Sequence, residues 1–129
     1  MRPMLVAVLA AAIACFGLSM ASAQDAGPAK IGQTSAGPTL TDANGMTLYT
    51  YSRDMTGYSN CNGACATAWP PFSAAADAKA SDDWTIIVRD DGKRQWAYKG
   101  MALYAWSKDA KPGDVSGDGA GGKWHIAKP

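Results

Sequence analysis

The chain contains no glutamate. All eleven of its acidic groups are aspartates, short side chains that favour turns and caps over helix interiors, and no long stretch repeats its apolar residues at helical spacing. There is one histidine, His125. One imidazole excludes a two-histidine zinc site within a single chain, and a catalytic triad would claim that same ring with no other to support it. No Gly-x-Ser-x-Gly elbow and no phosphate-cradling glycine loop occurs. Basic charge is not in excess either: beyond residue 23, eleven Lys and Arg face eleven Asp, which excludes a general nucleic-acid binder. Phenylalanine is nearly missing, with Phe72 alone in that stretch against five Trp and five Tyr.

The one long apolar run stands at the start. Arg2 precedes the Ala-rich segment Leu5 to Leu18, and Ala21-Ser22-Ala23 follows as a small-residue cleavage site. These features predict a secretory signal over residues 1–23, too short to span a bilayer comfortably. Ala12-Ile13-Ala14-Cys15 weakly resembles a lipobox, so lipid anchoring at Cys15 is the lesser alternative to a free periplasmic or secreted chain. Residues 24–30 then read as a flexible lead, and residues 31–129 as one domain, the size at which a single modest core forms.

That domain writes one ten-residue phrase twice. GMTLYTYSRD, residues 45–54, returns as GMALYAWSKD, residues 100–109, with six positions identical. At the same offset of 55, Trp69 falls on Trp124. A repeat at fixed spacing is an architectural signal. Period-two alternation places Tyr49 and Tyr51 on one strand face against Leu48 and Thr50, and Tyr104 and Trp106 against Leu103 and Ala105. Trp84 to Arg89, the turn Asp90-Asp91-Gly92, and Arg94 to Tyr98 read as a hairpin. The fold expected is all-β: two pseudo-symmetric hairpin repeats of about 55 residues, one near 31–72 and the other near 84–127, packed as a sandwich or curled like a barrel. The Ala-rich stretch 72–80 reads as a loop between them.

Cys61 and Cys65 are the two cysteines beyond the leader, and in an exported chain they are expected as a disulfide across the bend Asn62-Gly63. Repeat two has Ser116 and Ala120 at those positions, so the bridge reads as a structural staple. Two metal readings compete with it. Thiolates of Cys61 and Cys65 with His125, joined by Met46, Met55 or Met101, would suit copper. Asp114, Ser116 and Asp118 followed by Gly119 resemble the start of a calcium loop, although His125 stands where the bidentate Glu belongs.

The aspartates that end the repeated strands, Asp54 and Asp109, read first as turn-forming Asx residues and second as an acid pair for catalysis. Trp69, Trp84 and Trp124 are assigned to the core. Tyr49, Tyr51, Tyr104 and Trp106, with Asp54 and Asp109, form a candidate aromatic binding surface if their strand face is wetted.

The combination of Gly-x-x-Leu-Tyr-x-aromatic-x-x-Asp, the cysteine pair, Trp69-Pro70-Pro71 and Gln95-Trp96-Ala97-Tyr98 before the second copy resembles the bacterial secreted-repeat proteins with a Y-x4-D motif, often described as lipoproteins. The resemblance covers residues 31–126. It implies export and a repeat fold, no established activity and no catalytic residues. The function expected is thus a non-catalytic, cofactor-free interaction module of the periplasm or envelope, with an envelope protein, peptide or glycan as partner. A copper-handling or redox accessory protein is the alternative, and an enzyme using Asp54 and Asp109 the third reading.

Overall fold

The computed structural model describes residues 24–129; the expected signal segment 1–23, with the Cys15 lipobox, lies outside the described residues. Strands dominate. In chain order they are β1 (Gln24–Ala26), β2 (Ala29–Thr34), β3 (Gly37–Thr41), β4 (Tyr49–Tyr51), β5 (Trp84–Val88), β6 (Arg94–Tyr98), β7 (Met101–Ala102) and β8 (Trp124–Ile126). They form three small antiparallel sheets, β1-β2-β3, β4-β8 and β5-β6-β7. The all-β, two-repeat reading holds, and no barrel closes among the described residues. Within residues 24–30, β1 pairs with β2, setting Gln24 opposite Ile31 and Ala26 opposite Ala29.

The two helical pieces are short. Helix α1 covers Ala64–Ala68, and a 3₁₀ turn, Ala120–Gly122, occupies the matching place in repeat two. The Ala-rich stretch after Phe72 stays without a helix. Alanine content alone does not nucleate one; α1 forms instead where the chain is bent back between Cys61 and Trp69, whose backbone N–H caps the helix on the Cys65 carbonyl.

Each repeat donates its final strand to the other. The centre is the antiparallel pair Tyr49–Tyr104, whose backbones exchange hydrogen bonds of 2.8 and 3.0 Å. From there β8 of repeat two runs along β4 of repeat one, with Thr50 opposite His125 and Tyr51 opposite Trp124. In the mirror relation, residues 70–74 of repeat one run along repeat two. The Ala105 N–H donates to Pro70, the Phe72 N–H to Leu103 and the Ala74 N–H to Arg94. The bond from the Ala127 N–H to Leu48 repeats the one from Phe72 to Leu103 at the offset of 55.

This exchange buries the central segments on both faces. Leu48 and Leu103 join one apolar cluster with Leu40, Trp84 and Ala127. Tyr49 and Tyr104 enter the other, with Trp69, Trp124, Ile87, Ile126 and Cys61. The alternation of Leu and Tyr read from the sequence is therefore real, with Leu48, Leu103, Tyr49 and Tyr104 all buried and Tyr51 and Trp106 half-buried. A repeat that ended at its own hairpin would leave its Leu or its Tyr exposed.

Candidate functional site

Two cross-strand aromatic pairs meet back to back at the pseudo-twofold axis. Tyr51 stacks on Trp124, its partner across β4 and β8, with ring centroids 4.2 Å apart and planes inclined by 17°. Trp106 stacks on Trp69 at 3.9 Å and 25°. The inner rings, Trp69 and Trp124, then stack on each other at 3.8 Å and 2°. The column runs Tyr51–Trp124–Trp69–Trp106, alternating between repeats. The inner indoles are nearly buried and the end rings half-buried.

Two more rings brace this column edge-on. Tyr49 meets Trp69 at 5.4 Å and 80°, and Tyr104 meets Trp124 at 5.1 Å and 89°. Their phenols cross the axis to the other repeat's aspartate. Tyr49 Oη donates to Asp109 Oδ2 at 2.7 Å, and Tyr104 Oη to Asp54 Oδ2 at 2.6 Å. The far oxygens accept backbone and hydroxyl donors: the Asn60 N–H at 2.7 Å on Asp54, and the Ser116 N–H and Oγ at 3.1 and 2.6 Å on Asp109.

The electrostatics follow from burial. Desolvation, then the bond to Asp109, pushes the Tyr49 phenol well above its ordinary range. Tyr104 rises for the same reason, with Asp54 as its acceptor. Burial also raises the Asp54 carboxyl, against the opposing pull of the Tyr104 and Asn60 donors and of the Arg89 charge. Arg89 is itself buried, and donates to Ser59 Oγ, Gln95 Oε1, the Cys61 carbonyl and Asn62 Oδ1. Ser59 Oγ lies 2.5 Å from Tyr104 Oη, so a continuous polar chain joins Arg89 to Asp54.

The candidate surface therefore needs correction. Tyr49 and Tyr104 are fully buried, and Asp54 and Asp109 are 8% and 9% exposed; these four tie the repeats together instead of facing solvent. Tyr51 and Trp106 keep an open side. Together with Trp69 and Trp124 they line a cleft of about 330 Å³ whose floor is Ala120, Gly121 and Lys123. The turn there contains Gly119, Gly121 and Gly122 with positive φ, so no bulky side chain fills the space above the rings. Lys108 Nζ sits 5.9 Å from the Trp106 ring.

The metal candidates disperse. Cys61 and Cys65 are bonded to each other with Cα atoms 5.2 Å apart, as expected, which removes the thiolate pair. His125 is exposed on β8, Met55 is exposed, and Met46 and Met101 are half-buried. Asp114 brackets a turn through the Ala110 and Lys111 N–H groups and pairs with Lys111 Nζ at 2.9 Å. That bond to Lys111, chiefly, holds its carboxyl below the usual carboxylate range. Asp118 accepts from the Ile126 N–H, and Ser116 is engaged by Asp109. Among the described residues no group of three or more His, Cys, Asp or Glu is placed to hold a metal.

Sequence reasoning sent Trp69 and Trp124 to the core and missed that they also wall a cleft. The signal was their shared offset with Tyr51 and Trp106. Ser59, Arg89 and Gln95 carried no such mark, because their network exists in one repeat only.

A strand-exchanged two-repeat β domain with a shared aromatic column is the class of protein that this fold and site define. The family model described as a secreted repeat of unknown function matches residues 30–73 and 85–128, and the chain belongs to that family. No curated protein and no solved structure matches the chain. Among the described residues no helix is long and apolar enough to cross a membrane.

Proposed function

We propose that the protein is a non-catalytic binding module of the periplasm or cell envelope, and that its ligand is a glycan seated in the cleft over the aromatic column. One observation carries this reading: four aromatic rings, two from each repeat, line one open cleft together with Ala120, Gly121 and Lys123. At about 330 Å³ the cleft falls at the lower end of the size range of small-ligand sites. Rings present apolar faces and rims to the C–H face of a sugar, while Lys123 at the floor supplies a donor to its hydroxyls. The cysteines and the aspartates add no chemistry to this reading, since each is already bonded within the fold.

Isothermal titration against oligosaccharides of the bacterial envelope tests it. Saturable binding is expected for the unaltered chain, with about a tenfold loss or more in Trp106→Ala, the cost of one good contact. Binding unchanged in Trp106→Ala and in Tyr51→Ala would remove the cleft from the argument. Binding of peptides in place of sugars would keep the site and change its ligand.

A further inference from the structure

The column stacks four uncharged rings face to face, with two more set edge-on against it. The planes of Trp69 and Trp124 are almost parallel with centroids 3.8 Å apart, close to carbon–carbon contact, so the two indoles overlap over much of their area. Rings this close and parallel are in van der Waals contact across their faces. On loss of one electron, two closely stacked rings share the resulting hole and are drawn together by that sharing. The surroundings favour this inner pair over the Trp106 end. Lys108 stands over Trp106, and a cation against a ring makes its electrons harder to remove.

The edge-on tyrosines supply the next step. Tyr49 touches Trp69 and Tyr104 touches Trp124, and each phenol already donates to a carboxylate at 2.6–2.7 Å. A phenol oxidised by one electron becomes a strong acid, and a carboxylate at hydrogen-bond distance receives its proton without any rearrangement.

We propose that the column with its two Tyr–Asp pairs is a one-electron redox site. An outer-sphere one-electron oxidant reaching the cleft takes an electron from the stack and is reduced. The hole is held on Trp69–Trp124 and then passes to Tyr49 or Tyr104. As that tyrosine is oxidised, its O–H bond breaks and the proton moves to Asp109 or Asp54, leaving a neutral phenoxyl radical beside a carboxylic acid. The sugar-binding reading is independent of this one.

His125, the chain's single histidine, is exposed and adjacent to Trp124, which provides an attachment point for a ruthenium polypyridyl photosensitiser on the full mature chain. Laser oxidation of the label is expected to produce the near-infrared charge-resonance band of a shared indole hole, followed by tyrosyl radical. Trp69→Phe should abolish that band. Asp54→Asn combined with Asp109→Asn should keep the band and slow tyrosyl formation about tenfold, equivalent to about 1.4 kcal/mol on the barrier. Should either variant fail to fold, the unaltered chain still decides: tyrosyl formation must slow in deuterated water, because a proton moves with the electron. A hole confined to one indole, with no charge-resonance band, overturns the proposal. So does tyrosyl formation indifferent to deuterium.

Discussion

Tyr104 and Asp54 show what one repeated residue pair does in this fold. Deleting the phenolic oxygen in Tyr104→Phe leaves a buried carboxylate with one donor fewer, and buried groups left short of a partner cost about 1–3 kcal/mol. A loss of that size is expected in urea unfolding, and a similar one for Tyr49→Phe across the axis. Burial raises the Asp54 carboxyl above 3.8, so the folded chain holds that proton more tightly than the unfolded one. Stability linked to the protonated form is complete below about pH 4 and is lost as pH rises through the folded value. Asp54→Asn cannot titrate. Its deficit relative to the wild type is therefore expected to be widest near pH 4 and to shrink toward neutrality, and a deficit that grows with pH would contradict this account. Gly117 is a second sensitive point. A Cβ there would lie 2.7 Å from the Trp69 ring and 3.1 Å from Trp106, so Gly117→Ala is expected to cost about 1–3 kcal/mol by overpacking the column.

Among elements, the loop from Ser59 to Trp69 differs most between repeats. Cys61–Cys65 closes a short ring around the entry to α1, where repeat two uses the bonds from Ser116 to Asp109. Chain entropy assigns such a closure about 2 kcal/mol. Reduction is expected to lower the unfolding free energy by that much without dispersing the aromatic column, as followed by near-ultraviolet circular dichroism. Strand existence was legible here from alternation in part: β5 and β6 with their turn, and β4 within LYTY, are where the sequence puts them, whereas LYAW holds only the isolated bridges of Tyr104 after the short β7. Wetness was not legible. Period-two alternation reports two different faces, and only the exchanged segments, which arrive from far along the chain, decide that Tyr49 and Tyr104 are covered while Tyr51 and Trp106 keep an open side. Strand β1 was not legible for a related reason, since short polar strands are defined by their partner, here β2, and not by their own composition. Helix α1 was missed because five residues carry too little pattern.

On the scale of the whole molecule, the crossing of residues 70–74 and β8 means that the central β4-β8 sheet and the cover over residues 103–105 are completed only across the two halves. Two fragments divided near residue 80 are expected to be unfolded alone and to regain strand signal by circular dichroism when mixed; independent folding of either would refute the exchange. Alkali tests the same closure. The phenols of Tyr49 and Tyr104 are held well above the usual value of 10.0, so the folded form is favoured below that pH and disfavoured as these groups are driven to ionise. Their phenolate absorbance is expected to emerge together with unfolding and not before it.

The exchanged strands also speak to descent. A gene specifying one such unit would have encoded a chain unable to close its own sheet, whose natural product is a twofold homodimer of identical subunits. Tandem duplication would have joined those subunits into one polypeptide and released each half from the requirement to match the other. The disulfide in one half, the serine–aspartate bond in the other, and a buried arginine with no counterpart are differences that an obligate pair of identical chains had no means to acquire.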